Sequence, residues 1–370
     1  MDSVVIGNGT IKKQKRSKKV QKGGELMQGG SGSVTIHQVA ERAGVSIKTV
    51  SRVLNHEANV RKDTKERVQE AIAALNYRPN PSARHLAGAH GYNIALLYDN
   101  PSANYLIDLQ KGALESCHAE GFHLILQPCG DGGKDPSQDV LDLVVQSRVP
   151  GVILSPPLSD RASLLEQLEE LGVLHSRIAP IDMARPGPYV AVDDQGASFD
   201  LICHLIALGH RRIAIIKGHP GHGASHGRFA GYLKAMRQHG LPIDADLIEQ
   251  GYFDFASGFA AGRRLLSLPQ PPTAIFASSD DMAAAVLHVA HEMAIEVPGR
   301  LSVAGFDDTP LSRYVWPSLT TVRQPVVDMA RRATLQLIEQ IRKCSHSCTP
   351  SASAMFCALV IRDSTGRAPG

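Results

Sequence analysis

The stretch VTIHQVAERAGVSIKTVSRVLN, residues 34 to 55, constrains this chain more than any other, because it reads as two short helices joined by a tight corner. Val39, Ala40 and Ala43 recur at helical spacing in the first segment, and Gly44 supplies the backbone freedom that a sharp inter-helix turn demands. Ser46 stands at the N-cap position of a second helix, Ile47 to Leu54, whose inward residues are Val50, Val53 and Leu54. Ile47, Lys48, Thr49, Ser51 and Arg52 are left for the outer surface. Side chains of this kind at the front of a second helix meet base edges, while hydroxyls, Lys and Arg hold phosphates. Thr35 and Asn55 join them as candidate DNA contacts.

Asp63-Thr64-Lys65-Glu66 has the form of a capping box and predicts a third helix with Val68, Ala71, Ile72 and Leu75 inward, enough to close one small core. Pro79 and Pro81 stop that helix, and a short amphipathic segment ends in Leu86, Ala87 and Gly88. The run from Val34 to Gly88 closely resembles the headpiece and hinge of the LacI/GalR (lactose repressor) family of bacterial transcription regulators, and the resemblance continues more loosely to about Arg362. It implies that Pro81 to Ala87 becomes helical only on DNA and that Leu86 of each subunit enters the minor groove and kinks the central step. Asn80, Ala83, Leu86 and Ala87 are the hinge residues it marks for DNA contact.

Charge agrees with a nucleic-acid partner once it is partitioned. Residues 1 to 32 carry seven Lys/Arg against two Asp/Glu, a net +5; residues 33 to 90 carry nine against five, +4; residues 91 to 370 carry 23 against 29, −6. A basic front on an acidic body confines phosphate neutralisation to the headpiece. The Lys-rich tail, Lys12 to Lys19, lacks apolar periodicity and is followed by glycine pairs, so disorder is expected. It either adds nonspecific DNA attraction or is a solvated charge run, even one outside the natural product, since Met27 offers a later start.

No apolar run approaches the ~20 residues a membrane helix needs, and no apolar segment follows the basic stretch as a signal peptide would require. Neither membrane nor secretion is expected. The six cysteines form no CxxC pair or framework spacing, which suits reduced thiols in a cytosol, and the location expected is cytoplasmic, with the nucleoid.

Beyond the hinge, apolar strands alternate with helices. Strands are expected at Ile94–Tyr98, Phe122–Gln127, Gly151–Leu154, Val190–Val192, Ile213–Ile216, Ala274–Ala277, Val303–Phe306, Thr320–Val322 and Ala358–Arg362. Such alternation predicts parallel sheets with helices on both faces, and the length suffices for two lobes around a cleft. The fold class is α plus α/β: a helix-turn-helix headpiece with hinge, then a core of doubly wound parallel sheets, which by resemblance is two-lobed and periplasmic-binding-protein-like with three crossovers. The expected divisions are a tail at 1–32, headpiece 33–78, hinge 79–91, core 92–363 and a final tail 364–370. The first lobe takes about 92–190 and 320–343, the second about 191–318 and 350–363.

Cleft residues follow from matched motifs. Gly227-Arg228-Phe229-Ala230-Gly231-Tyr232 resembles the family's Arg-bearing segment, whose guanidinium fork clamps hydroxyl or carboxylate oxygens. Gly305-Phe306-Asp307-Asp308 ends a strand where a carboxylate can face the crevice, which singles out Asp307. Phe253 stands where the family stacks a ring on its effector, and Ser279 and Asp280 follow another strand. From the first lobe come Asn104 and Tyr105, and Asp193 is preferred to Asp194. His222 stands where some relatives use Arg, and Leu106 where purine-binding relatives have a second aromatic, so purine stacking is disfavoured. An Arg, several carboxylates and an aromatic plate suit a polyhydroxylated sugar.

Gly223-Ala224-Ser225-His226-Gly227 fits the nucleophile-elbow pattern, but Gly218 to His222 separates it from the preceding strand, so no enzyme is expected and Ser225 is assigned to effector binding. His219, His222 and His226 lack the rigid spacing of a metal site, and neither metal nor cofactor is expected. A DNA-packaging role would leave the large two-lobed body unexplained. The expected protein is a homodimeric repressor of a carbohydrate operon that leaves a palindromic double-stranded operator when a small sugar-like effector binds. A co-repressed regulator of a non-sugar metabolite stays open. Without leucine heptads after Lys343, a dimer rather than a coiled-coil tetramer is expected.

Overall fold

A computed structural model describes residues 34–54, 60–77, 93–129, 137–147, 149–343 and 352–370. The candidate contacts Asn55, Asn80, Ala83, Leu86 and Ala87 lie outside the described residues. The chain divides into two compact units, 1–84 and 85–370.

The first unit holds α1 (Ile36–Ala43), α2 (Ile47–Leu54) and α3 (Lys62–Ala74). Gly44 ends α1 in the left-handed conformation at φ 64°, and its N–H reaches back to the carbonyls of Ala40 and Glu41, so the corner is built on the one residue that adopts it without strain. Val39, Ala40, Ala43, Val50, Val53, Val68, Ala71 and Tyr77 form the core, with Ile72 and Leu75 packed at its margin. The capping box expected at Asp63 is not what opens α3. That helix begins two residues earlier, at Lys62 behind Arg61, and Asp63 lies in its first turn 3.6 Å from Arg67, where a carboxylate favours the helix dipole.

The second unit contains two parallel sheets. Its elements are β1 (Asn93–Tyr98), α4 (Ala103–Glu120), β2 (His123–Pro128), α5 (Ser137–Ser147), β3 (Gly151–Leu154), α6 (Ala162–Glu170), β4 (Leu174–Ile178), β5 (Tyr189–Val192), α7 (Asp194–Ala207), β6 (Ile213–Lys217), α8 (Gly223–Gln238) and β7 (Ile248–Gln250). There follow α9 (Phe255–Leu266), β8 (Ala274–Ala277), α10 (Asp280–Glu292), β9 (Ser302–Ala304), α11 (Leu311–Tyr314), β10 (Thr321–Arg323), α12 (Val326–Lys343), β11 (Ala352–Met355) and β12 (Ala358–Val360). One sheet has the order β11-β5-β4-β3-β1-β2 and the other β7-β6-β8-β9, every pairing parallel, while β10 and β12 form a small antiparallel pair.

Burial on both faces explains the nearly unbroken apolar runs of the central strands. In β1, Ile94 and Leu96 enter one core and Ala95 and Leu97 another; in β6, Ala214 and Ile216 face one way and Ile213 and Ile215 the other. Helix α12 crosses closely over α4, because a Cβ on Gly112 would lie 2.1 Å from the Val327 carbonyl oxygen.

Three expected divisions change. Residues 352–355 belong to the first sheet, beside β5, rather than to the second lobe. Thr320 to Arg323 extend the second sheet rather than the first lobe, since the Gly305 N–H donates to Thr320 O and the Asp307 N–H to Val322 O. Residues 364–370 are not a loose tail. Ser364 is fully buried, the Val303 N–H donates to its carbonyl, and Ala368 N donates to Leu208 O at 2.9 Å. The reason is common to all three: each segment satisfies backbone groups that a sheet edge would otherwise leave open.

Candidate functional site

The headpiece presents its candidates outward. Thr35, Ser46, Ile47, Lys48 and Arg52 are exposed, and Thr49 and Ser51 half-buried, while Val50 and Val53 of the same helix are buried. Ser46 caps α2, its Oγ accepting from the Thr49 N–H at 3.2 Å and lying 2.9 Å from the Thr49 hydroxyl. At the head of α1 the Thr35 N–H donates to Gln38 Oε1 at 2.8 Å. Ile47 is an apolar side chain left 40% exposed at the front of the helix, flanked by Lys48 and Thr49. Such a surface can touch a thymine methyl and hydrogen-bond base edges or phosphates.

Within the second unit a pocket lies where the strands' C-terminal ends meet. Asn100, Ser102, Tyr105, Pro156, Ala179, His222, Ala224, Arg228, Phe253, Asp307 and Gln324 line it. Its volume of about 30 Å³ leaves room for water but not for a sugar ring, so the cleft is nearly closed. Two contacts hold it so. Ser102 Oγ, at the start of α4, donates to Asp281 of α10 at 2.8 Å. Ile181 packs so tightly on Gly223 that a Cβ there would lie 2.5 Å from its Cγ1.

Arg228 is the centre of the site. It lies in the second turn of α8, is 3% exposed, and donates through Nε to Asp194 at 2.8 Å and through Nη1 to the Ser278 carbonyl at 2.5 Å. Asp307 Oδ1 is 3.7 Å from Nη1 and accepts from Gln324 Nε2 at 2.6 Å. The guanidinium lies 3.6 Å above the Phe306 ring. Burial opposes its charge, but Asp194 and Asp307 outweigh that and hold it firmly protonated. Burial raises the carboxyl groups of Asp194, Asp280 and Asp307 above their ordinary range, against the pull of Arg228 on Asp194 and Asp307. Tyr105 is buried beside this cluster, its hydroxyl pushed upward by burial and then by Asp307.

Phe253 takes φ 67°, a backbone conformation rare for a large side chain, and its ring lies on Gly218, where a Cβ would meet ring atoms at 2.0 Å. The same ring is 5.4 Å from His222 and 5.7 Å from the Arg228 guanidinium. The structure thus brings Arg228, Asp307, Phe253 and Tyr105 together.

It does not bring the other candidates there. Asp193 caps α7, accepting from Gly196 N at 2.8 Å, and Asp194 is the carboxylate that reaches Arg228, so the preference for Asp193 is reversed. Ser279 caps α10, accepting from Met282 N at 3.3 Å. Asp280 is fully buried and occupied by Thr309 N at 2.7 Å and Thr321 Oγ1 at 2.6 Å, a brace between loops. Ser225 is buried in the first turn of α8 and Asn104 half-buried on α4, and neither lines the pocket.

Asn100, Ser102, His222 and Gln324 were missed. His222 occupies the N-cap position of α8 without a side-chain capping bond, and burial, then His219 and Arg228, push its imidazole down to about 4, leaving it neutral. Gln324 follows a strand end, a signal that could have found it. Because Ser225 is on a helix rather than at a strand-to-helix corner, the G-x-S-x-G pattern is not a nucleophile elbow. Among the described residues no group of three or more His, Cys, Asp or Glu could hold a metal ion, and no helix is long and apolar enough to cross a membrane.

Comparison with known proteins places this geometry. Residues 35–80 match the model of bacterial regulatory proteins of the lacI family, and residues 202–365 match the periplasmic binding protein-like domain. Catabolite control protein A of Priestia megaterium is 33% identical over 84% of this chain and 93% of its own. The HTH-type transcriptional repressor CytR of Escherichia coli (strain K12) is 31% identical over 91% of this chain and 98% of its own. Among solved structures, a lac repressor dimer bound to operator and the anti-inducer ONPF superposes with a TM-score of 0.74 at 27% identity, covering 90% of this chain and all of that one. A complex of the transcriptional regulator CelR with cellobiose gives 0.68 at 30% identity, covering 90% and 99%. These relatives are transcription regulators, not enzymes.

Proposed function

This chain belongs to the lacI family of bacterial regulatory proteins, and we propose that it is a cytoplasmic, nucleoid-bound homodimeric repressor of a carbohydrate-catabolism operon, released from a palindromic operator by a small hydroxylated effector. The observation that carries the effector reading is the Arg228–Asp307 pair, buried together with Phe253 and Tyr105 where two sheets present their strand ends. That is where an open α/β fold binds ligands, and a charged fork beside carboxylate and aromatic groups matches hydroxyls on a ring. The CelR structure holds cellobiose and the lac repressor dimer holds operator, which supports carrying both partners to this chain.

In this reading Ile47, Lys48, Thr49, Ser51 and Arg52 read the major groove, with Thr35, Ser46 and Asn55 on phosphate, and Asn80, Ala83, Leu86 and Ala87 contact DNA from the hinge. Parting of the lobes, which breaks the Ser102–Asp281 contact, admits the effector and biases the hinge. Titration of operator fragments, with and without a panel of mono- and disaccharides, tests it. Asp307→Ala should abolish the sugar response while leaving effector-free operator affinity within about twofold of the parent. If the effector co-represses, the same variant is permanently derepressed. A variant that responds normally would show that the effector sits elsewhere.

A further inference from the structure

Arg228 is the one permanently cationic side chain among the described residues that line the cleft, and its charge is already taken. Its Nε edge is held by Asp194, Nη1 by the Ser278 carbonyl and, at 3.7 Å, by Asp307, and one face is covered by Phe306. His222 is neutral near pH 7, because burial first, then His219 and Arg228, keep its proton off. Two guanidinium groups beyond Asp307 are committed to Asp308: Arg323 donates to it at 2.6 Å and Arg362 to the other oxygen of the same carboxylate. Two carboxyl groups face this one guanidinium, Asp194 at 2.8 Å and Asp307 at 3.7 Å.

A phosphate or carboxylate entering this cleft would find no unpaired cation, and to reach Arg228 it would have to displace an aspartate in a site of low polarity. The remaining polar linings, Asn100, Ser102, Tyr105 and Gln324, are uncharged and match hydroxyl, amide or ring-nitrogen groups. We propose that the cleft selects an uncharged effector and rejects its phosphorylated or acidic counterparts, and that Asp194 sets this selectivity by neutralising Arg228 from behind. Asp194 is a positioning residue here, since it does not line the pocket. The inference rests on the cleft being the effector site, but its test reads charge selectivity without operator.

Inorganic phosphate and glucose 6-phosphate serve as probes, titrated by calorimetry into the full-length chain, Asp194→Asn, Asp307→Asn and the double variant Asp194→Asn/Arg228→Gln at constant ionic strength. The parent chain should show no saturable binding of either anion. Asp194→Asn should bind both at least roughly tenfold more tightly than the parent, because the charge that neutralises the guanidinium is removed while the amide oxygen can still accept from Nε. The double variant should lose that gain. Asp307→Asn, smaller in effect because its contact is longer, provides the same reading if Asp194→Asn does not fold. Saturable anion binding by the parent, no gain in either single variant, or a gain that survives loss of Arg228 would each overturn the proposal. A failed operator response would overturn the regulator reading alone.

Discussion

The headpiece and the core bury opposite things. The small helical unit closes on Val39, Ala40, Ala43, Val50, Val53, Val68, Ala71 and Tyr77, and turns its Lys, Arg and hydroxyls outward. The core buries Arg228 against Asp194 and Asp307 within the larger unit. A surface that reads a polyanion must keep its charges hydrated and free, whereas a cleft that senses a small molecule needs them pre-oriented and dry. One unit therefore carries function on its outside and its stability within, and the other puts both in the same place.

If that contrast holds, breaking the buried charge cluster should be the costlier injury. Arg228→Ala leaves Asp194 and Asp307 without their partner and should lower core stability by about 3–5 kcal/mol, with the effector response lost. Chemical unfolding of the full chain measures it; a variant as stable as the parent would mean that the cluster is decoration on the core rather than part of it.

Lys48→Ala and Thr49→Ala should each reduce operator affinity by about 1–3 kcal/mol while leaving core unfolding unchanged, because Lys48 stands exposed and Thr49 half-buried at the front of α2, outside the core. Equal losses on operator and scrambled DNA would show phosphate contact without base readout.

The finest test uses acid. His222 stays neutral in the folded core, down to about 4, whereas the unfolded chain protonates it near its ordinary 6.5. Its contribution is therefore complete above 6.5 and is lost as pH falls from there toward 4. His222→Gln should flatten this acid-side decline by about 3 kcal/mol, read from unfolding curves at several pH values. An unchanged slope would show that His222 does not carry the acid-side decline, and the aspartate cluster, whose carboxyls are raised by burial, would act in the opposite direction.

Much of this was legible in advance, for identifiable reasons. Helix α2 begins at Ile47 and ends at Leu54 as its periodicity predicts, and β3 and β8 run over Gly151–Leu154 and Ala274–Ala277 as their apolar runs predict. The unforeseen strand Leu174–Ile178 contains His175, Ser176 and Arg177, which break the apolar signature. Arg177 is fully buried nonetheless, since its guanidinium donates to the carbonyls of Asp182 and Arg185 at 2.8 Å each and organises the loop that follows. In the site, adjacent acidic pairs defeated local reading. Asp193 and Asp194 are equivalent as letters, and only the start of α7 between them makes one a cap and the other the partner of Arg228.

Local chemistry in the sequence determined the headpiece and the alternation of strands and helices, because periodicity, turn residues and strand ends act over a few neighbours, while the resemblance to the family's motifs singled out Arg228 and Asp307. Only the tertiary structure decided which carboxylate neutralises Arg228, that Asp280 braces loops, that residues 352–355 join the first sheet, and that the last residues are packed. Each of those outcomes depends on groups far apart in the chain competing for one partner in a dry interior, where an unpaired charge or backbone group is too costly to leave alone.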